Sequence, residues 1–480
     1  MYNKFGQYIN GKWQKSSDGE TYDVINPATE EVLGKASKAS EEDVAKALNS
    51  AQNGLEIWKK TPPWQRSKII RKISDLIRDR KQKLAQWLAL EVGKPIKEGI
   101  GEVEGAADIF EWNSEETKRI YGQIVESRFE NTRKYVKYEP VGVVAALVPW
   151  NFPVVLASRK ISTALAAGCS VICKPDVITP GSVMELMNII HDAGVPPGVV
   201  NLLSGDPEKI SQQLISSDII KKISITGSTR VGKLILKQAA DKVQRVTMEL
   251  SGHSPFIVFD DVDIDKVTDM AIAAKFRNNG QVCISPNRFY IHQSKKKEFT
   301  DTFIKKILKL KIGNGLNEDT DLGPITTAKR LNEIENLVDT TKKEGAKILC
   351  GGKRPAGFNK GYFYEPTVFD NINDNFTIMK EEPFGPLVPI LSFKDRDEVL
   401  KRANNNDLAL ASYIFTNSLE NANIVSEKIE TGTCAVNTAA VAFAEVPFGG
   451  FKQTGYGREG GSMAIKDYLN IKYVHFGIKY

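Results

Sequence analysis

An alternation that begins at Val141 constrains this chain more than any other feature. Four short runs, 141–148, 170–173, 199–203 and 222–225, are apolar at successive positions, and stretches of helical periodicity at 156–167, 183–192 and 231–240 separate them. A strand that is apolar on both faces must be covered on both, and parallel neighbours need long crossovers, which helices supply. The pattern predicts a parallel sheet with helices on each side, the α/β class that includes nucleotide-binding domains. A second alternation, with strands expected at 256–259, 289–292, 413–416 and 434–437, predicts a second α/β domain. Ahead of these, Asn10-Gly11 marks the turn of an edge hairpin, and Ser40 before Glu41, Glu42 and Asp43 marks a capped helix start. Residues 64–90 read as one amphipathic run.

Composition removes several classes of function. With 41% apolar and 26% charged residues the chain is globular rather than disordered. The net charge of +6 comes from basic residues interspersed with acidic ones, which does not favour nucleic-acid binding. The longest apolar run, near 141–148, falls far short of the roughly 18 to 20 residues of a membrane span. Residues 1–13 lack the apolar segment of an export signal, and the cysteines at 169, 173, 283, 350 and 434 are odd in number and sparse, so reduced thiols in a cytoplasm are expected. Four scattered histidines and no paired Cys or His element predict no metal site.

The G-x-G-x-x-G fingerprint is absent from the first strand-to-helix turn, where Pro149-Trp150-Asn151-Phe152-Pro153 stands instead. A later turn, Thr226-Gly227-Ser228-Thr229, opens a helix and suits either a bound phosphate or an ordinary helix cap. Asn151, fixed between prolines, is either a turn residue or a rigid donor aimed at an oxyanion. Cys283 differs from the other four cysteines: it lies in a loop bounded by Gly280 and Pro286, where a nucleophile suits better than a buried inert thiol. No histidine has a context that recommends it as a partner, and Glu249, at the end of an apolar strand before Ser251-Gly252, is the candidate base or else a strand-end ion-pair residue.

Pro149-Trp150-Asn151-Phe152-Pro153, Lys174-Pro175, Gly227-Ser228-Thr229, Glu249-Leu250-Ser251-Gly252, Gly280-Gln281-Val282-Cys283, Glu381-Glu382-Pro383-Phe384-Gly385-Pro386 and Pro447-Phe448-Gly449-Gly450-Phe451-Lys452 together resemble, in order and spacing, the aldehyde dehydrogenase superfamily. The resemblance spans essentially the whole chain. It implies an NAD(P)-dependent oxidation of an aldehyde to an acid, with Cys283 as nucleophile, Asn151 and the Cys283 N–H as oxyanion donors, and Glu249 as the base that activates water. It further implies that Lys174 and Glu382 hold the riboses, Gly227 and Ser228 the pyrophosphate, that Phe384 flanks the nicotinamide, and that Trp150 and Leu250 line the cofactor path. Val177 stands where NAD-preferring relatives often carry glutamate, so NADP is expected to be tolerated, with Asp176 restoring some repulsion.

Arg159-Lys160 after the first motif, Lys275-Phe276-Arg277-Asn278 before Cys283, Lys311-Ile312-Gly313-Asn314-Gly315-Leu316 and the ending Asp467-Tyr468-Leu469 to Ile471-Lys472-Tyr473 resemble the succinate-semialdehyde dehydrogenase branch, and within it Gly252-His253-Ser254-Pro255 and Cys283-Ile284-Ser285-Pro286 are similar to the 2-oxoglutarate-semialdehyde dehydrogenases. That likeness implies that Arg159 and Arg277 grip a distal carboxylate with their guanidinium forks. Residues 441–444 lack the serine common in that branch, and Phe443 makes the pocket more apolar, so a dehydrogenase of neutral aldehydes such as lactaldehyde is the alternative. Intact Cys283, Glu249 and Asn151 argue against a catalytically silent binding protein.

The expected architecture is an aldehyde dehydrogenase-like α/β fold: a Rossmann-type cofactor domain at 1–120 and 139–251, a catalytic domain at 252–440, and a small β bridging element at 121–138 and 460–480. A strand-like tail at 471–478 offers an edge for another subunit, so a homodimer or homotetramer is expected.

Overall fold

A computed structural model describes residues 2–478. Its first sheet has eight strands. Five are parallel and lie in the spatial order Val200–Leu202, Ser170–Lys174, Val143–Leu147, Ile220–Thr226, Arg245–Glu249. Numbered along the chain that order is three, two, one, four, five, the doubly wound arrangement whose crevice opens between the first and fourth strands. The side chains explain it: Val143, Ala145 and Leu147 enter one apolar core, while Val144, Ala146 and Val148 enter the other. Helix Pro153–Ala167 crosses between two of these strands, buried along nearly its whole length, and stops at Gly168 in the left-handed conformation (φ 90°).

The edges are antiparallel. Gln7–Ile9 and Lys12–Gln14 form the expected hairpin around Asn10 and Gly11, both at positive φ as a two-residue turn of this hand requires. At the far edge Gly455–Tyr456 pairs with Met248 and Glu249, bringing the C-terminal region back to the strand that carries the candidate base. Ser40 caps helix Glu41–Trp58 with a reciprocal bond to Asp43, as its sequence predicts. The run at 64–90 is not one helix: Pro63–Asp79 and Lys81–Glu91 are separated at Arg80 (φ −105°, ψ 16°), a break that the uninterrupted apolar periodicity conceals.

The second sheet has seven strands, with Ser254–Val258, Pro286–His292, Leu387–Phe393, Ala411–Phe415 and Thr433–Val436 parallel. A separate three-stranded antiparallel sheet joins Gln123–Val125, Thr132–Pro140 and Leu469–Gly477, the last two paired from Leu469 opposite Pro140 to Gly477 opposite Thr132. No helix among the described residues is long and apolar enough to cross a membrane.

Candidate active site

The carboxyl ends of strands Val143–Leu147 and Ile220–Thr226 open into a cavity of about 1040 Å³. Trp150, Gly227, Ser228, Leu250, Glu382 and Phe384 line it, together with Asn151 and Cys283. A second cavity of about 470 Å³ reaches the same cysteine from the other side, lined by Arg159, Arg277, Phe152, Phe443 and Phe448. Asn151, Leu156 and Cys283 border both spaces. The thiol therefore sits where a molecule in one cavity meets a molecule in the other.

Local backbone demands set this junction. Helix Ile264–Phe276 ends in a turn in which Asn278 (φ 48°), Asn279 (φ 53°) and Gly280 (φ 75°) are successively left-handed. Asparagine tolerates that region and glycine favours it. A Cβ on Gly280 would stand 2.3 Å from the Gly385 carbonyl oxygen, and one on Gly252 would stand 2.2 Å from the Cys283 carbonyl oxygen. The cysteine loop is thus packed backbone-to-backbone against the segments that carry Glu382 and Glu249. Asn151 Nδ2 donates to the Gln281 carbonyl at 3.0 Å, two residues before Cys283. Burial pushes the Cys283 thiol up to about 12, with the Glu249 and Glu382 carboxylates adding to it and Arg277 opposing, so at rest it holds its proton.

Glu249 is buried and lines neither cavity. A Cβ on Gly449 would lie 2.7 Å from its Oε1, and neither of its carboxylate oxygens has a hydrogen-bond partner. Burial raises its pKa well above the carboxylate range, and the neighbouring Glu459 raises it further. Glu459 itself is paired with Lys160, whose Nζ also donates to Thr226 Oγ1 at 2.7 Å. Consecutive residues of one helix therefore part: Lys160 faces the sheet while Arg159 faces the funnel.

Arg159 lies in the funnel wall with one guanidinium nitrogen buried and unpartnered, its other contacts being the Phe443 carbonyl at 3.4 Å and the Phe448 ring at 5.1 Å. Arg277 lies 4.8 Å from the Phe152 ring centre. Helix Ile96–Glu116, which no motif in the sequence marks, forms the opposite wall with Glu98, Gly101, Glu102, Gly105 and Ile109. These positions follow helical spacing, and the bare faces at Gly101 and Gly105 are the signal that marks them as a wall kept open.

The first cavity fits a dinucleotide. Ser228 caps helix Thr229–Ala240, Gly227 leaves open space where a side chain would project, and Lys174 is buried with burial lowering its pKa, Asp176 and Asp206 being the compensating charges. Lys174 and Val177 are not among the residues lining the cavity; Asp176 and Ile178, flanking Val177, are. Glu382 accepts from the Gly252 N–H at 3.1 Å, and Phe384, at φ 43°, presents its ring to Trp150 with centres 5.6 Å apart. No group of three or more His, Cys, Asp or Glu positioned for a metal ion occurs among the described residues.

A doubly wound sheet with a helix N-terminus at its switch point, facing a cysteine on a second α/β unit, is the arrangement of a dinucleotide-dependent oxidoreductase with a candidate thiol nucleophile. The model of the Aldehyde dehydrogenase family matches residues 13–474, and the chain belongs to that family. It is 38% identical over 467 residues to glutarate-semialdehyde dehydrogenase of Pseudomonas putida, covering 97% of this chain and 96% of the relative. It is also 38% identical over 470 residues to the NADP(+) succinate-semialdehyde dehydrogenase GabD of Escherichia coli, covering 98% and 97%. The crystal structure of succinate-semialdehyde dehydrogenase from Burkholderia pseudomallei superposes with a TM-score of 0.96 at 39% identity, covering 99% of this chain and 98% of that one.

Proposed function

We propose that this enzyme oxidises an aldehyde bearing a distal carboxylate, of the succinate- or glutarate-semialdehyde type, to the dicarboxylic acid. The observation that carries the reading is the pairing of Arg159 and Arg277 in the funnel that ends at Cys283. An aldehyde entering there presents its carbonyl to the thiol while its far end meets two guanidinium groups. Relatives named for succinate and glutarate semialdehydes support the same class.

The residues divide the work. Cys283, once deprotonated, adds to the carbonyl and forms a thiohemiacetal. Asn151 Nδ2, now on the Gln281 carbonyl, and the Cys283 N–H are the donors for the oxyanion. Bound NAD or NADP supplies the hydride acceptor, and Lys174, Glu382, Gly227, Ser228, Trp150, Leu250 and Phe384 are the residues that would hold it. Glu249 swings from the Gly449 side toward the thioester and takes the proton of the hydrolytic water. Val177 offers no carboxylate to repel a 2'-phosphate, so NADP is accepted alongside NAD, although Asp176 in the cavity wall opposes it.

We further assign the cofactor unit to 1–120 and 139–251, the catalytic unit to 252–440 and the bridge to 121–138 and 460–480, with Gly455–Tyr456 an added strand of the cofactor sheet. The enzyme works in the cytoplasm, where its five free cysteines stay reduced, as a homodimer or homotetramer.

The test is kcat/KM for succinate semialdehyde, glutarate semialdehyde and a neutral aldehyde of matched length, each with NAD and with NADP. A preference of about 100-fold for the carboxylated substrates, roughly 2.7 kcal/mol, is expected, and Arg277→Ala should remove most of it. Equal efficiency on the neutral aldehyde would replace this reading with one in which Phe443 and its apolar loop set specificity.

A further inference from the structure

Behind the oxyanion loop lies a buried ion pair that the mechanism above does not use. Lys94 and Glu102 are both buried and paired with one another. They bracket the segment 151–155 from its two ends. Lys94 Nζ donates to the Asn151 carbonyl at 2.9 Å, an oxygen that also accepts from Asn278 Nδ2 at 3.1 Å. Glu102 Oε1 accepts from the N–H groups of Val154 at 2.9 Å and Val155 at 3.2 Å, the first free donors of helix Pro153–Ala167. The direction of the Asn151 carboxamide follows from the backbone between these two grips. Lys94 Nζ also lies 3.6 Å from the Phe152 ring centre, and Arg277 approaches the same ring at 4.8 Å.

We propose that Lys94, acting with Glu102, is a positioning residue for the oxyanion loop, and that the Phe152 ring shared by Lys94 and Arg277 joins this loop to the carboxylate clamp. The proposal rests on the aldehyde dehydrogenase reading of Cys283 and Asn151. A pair that merely stabilises the fold would affect how much protein folds; a positioning pair affects the reactions that form an oxyanion and spares those that do not.

Two probes of Cys283 separate these cases without cofactor. Acylation by p-nitrophenyl acetate forms a tetrahedral oxyanion on the way to the thioester, with p-nitrophenolate leaving. Alkylation by iodoacetamide displaces iodide at a saturated carbon and forms none. Lys94→Met, and Lys94→Met/Glu102→Gln, which leaves no lone buried charge and keeps an acceptor for Val154 and Val155, should slow acylation about tenfold to 100-fold. Alkylation should stay within about twofold, and Lys94→Arg should recover most of the acylation, since the misplacement and not the thiol is at fault. In the double variant the KM for succinate semialdehyde should rise more than that for the neutral aldehyde. Parallel loss of acylation and alkylation, or no change in either, overturns the positioning role, and an equal KM change for both aldehydes overturns the link to Arg277. A wild-type Cys283 inert to the ester would instead overturn the cysteine reading on which the proposal stands.

Discussion

Glu249 shows how much a single side chain can matter once its surroundings are known. Its carboxylate is buried, unpartnered and beside Glu459, and each of these disfavours the charged form. A base is useful only when deprotonated, so a raised pKa means that the active form is lost as pH falls through that raised value and gained above it. The Cys283 thiol, pushed up to about 12, works in the same direction. We expect kcat to climb through neutral pH rather than to level off near pH 4 to 5, as it would with a carboxylate at its ordinary value of about 4.3. Glu249→Gln should leave a rapid first release of NAD(P)H and slow the steady state by about 100-fold to 10,000-fold, the usual contribution of a general base. Stopped-flow absorbance across the pH range checks both, and a steady-state profile flat between pH 5 and 9 in the wild type would dismiss the assignment.

At the level of elements, the turn Arg277–Gly280 and the loop that follows it fix where Cys283 stands. Gly280 combines a φ of 75° with a would-be Cβ 2.3 Å from the Gly385 carbonyl, so Gly280→Ala must strain its own backbone and push the cysteine loop away from the Glu382–Phe384 segment. A cost of at least about 2 kcal/mol in stability is expected, together with a raised KM for the cofactor. Gly227→Ala is the control, since its Cβ meets nothing within 4 Å. Denaturant unfolding of the two variants side by side measures the difference; equal stabilities would mean that the Gly280 turn relaxes freely. The same elements show what was legible beforehand. Parallel strands are legible because both their faces are apolar, and the loop that carries Cys283 because glycine and proline bound it. The break at Arg80 was invisible, since both helices continue one apolar stripe across it. The wall at Gly101 and Gly105 and the Lys94–Glu102 pair were equally hidden: their meaning lies in which residues they face across 50 positions of sequence, and no local pattern encodes that. The sequence points to Val177 first, yet it is Asp176 that faces the cofactor cavity, because only the neighbouring positions 176 and 178 line it.

On the scale of the whole molecule, the three-stranded sheet leaves apolar side chains in water that a second copy of the chain could cover. Leu469–Gly477 is one of its two edge strands, and among the described residues no second strand pairs with it. Ile471 and Tyr473, two residues apart and therefore on one face, are 71% and 57% exposed. A long apolar edge strand left in water invites pairing with other chains, and an edge that a second copy covers is protected. We expect the homo-oligomer proposed above to use this face. Ile471→Glu places a charge where apolar contact is expected, and burying it unpaired costs several kcal/mol. The variant should therefore sediment as a smaller species than the wild type at micromolar concentration while keeping its helical circular dichroism, because Ile471 contributes little to the chain's own core. Sedimentation velocity on both proteins decides the matter: an unchanged assembly would place the subunit contact elsewhere, and a monomeric wild type would remove the oligomer from the account.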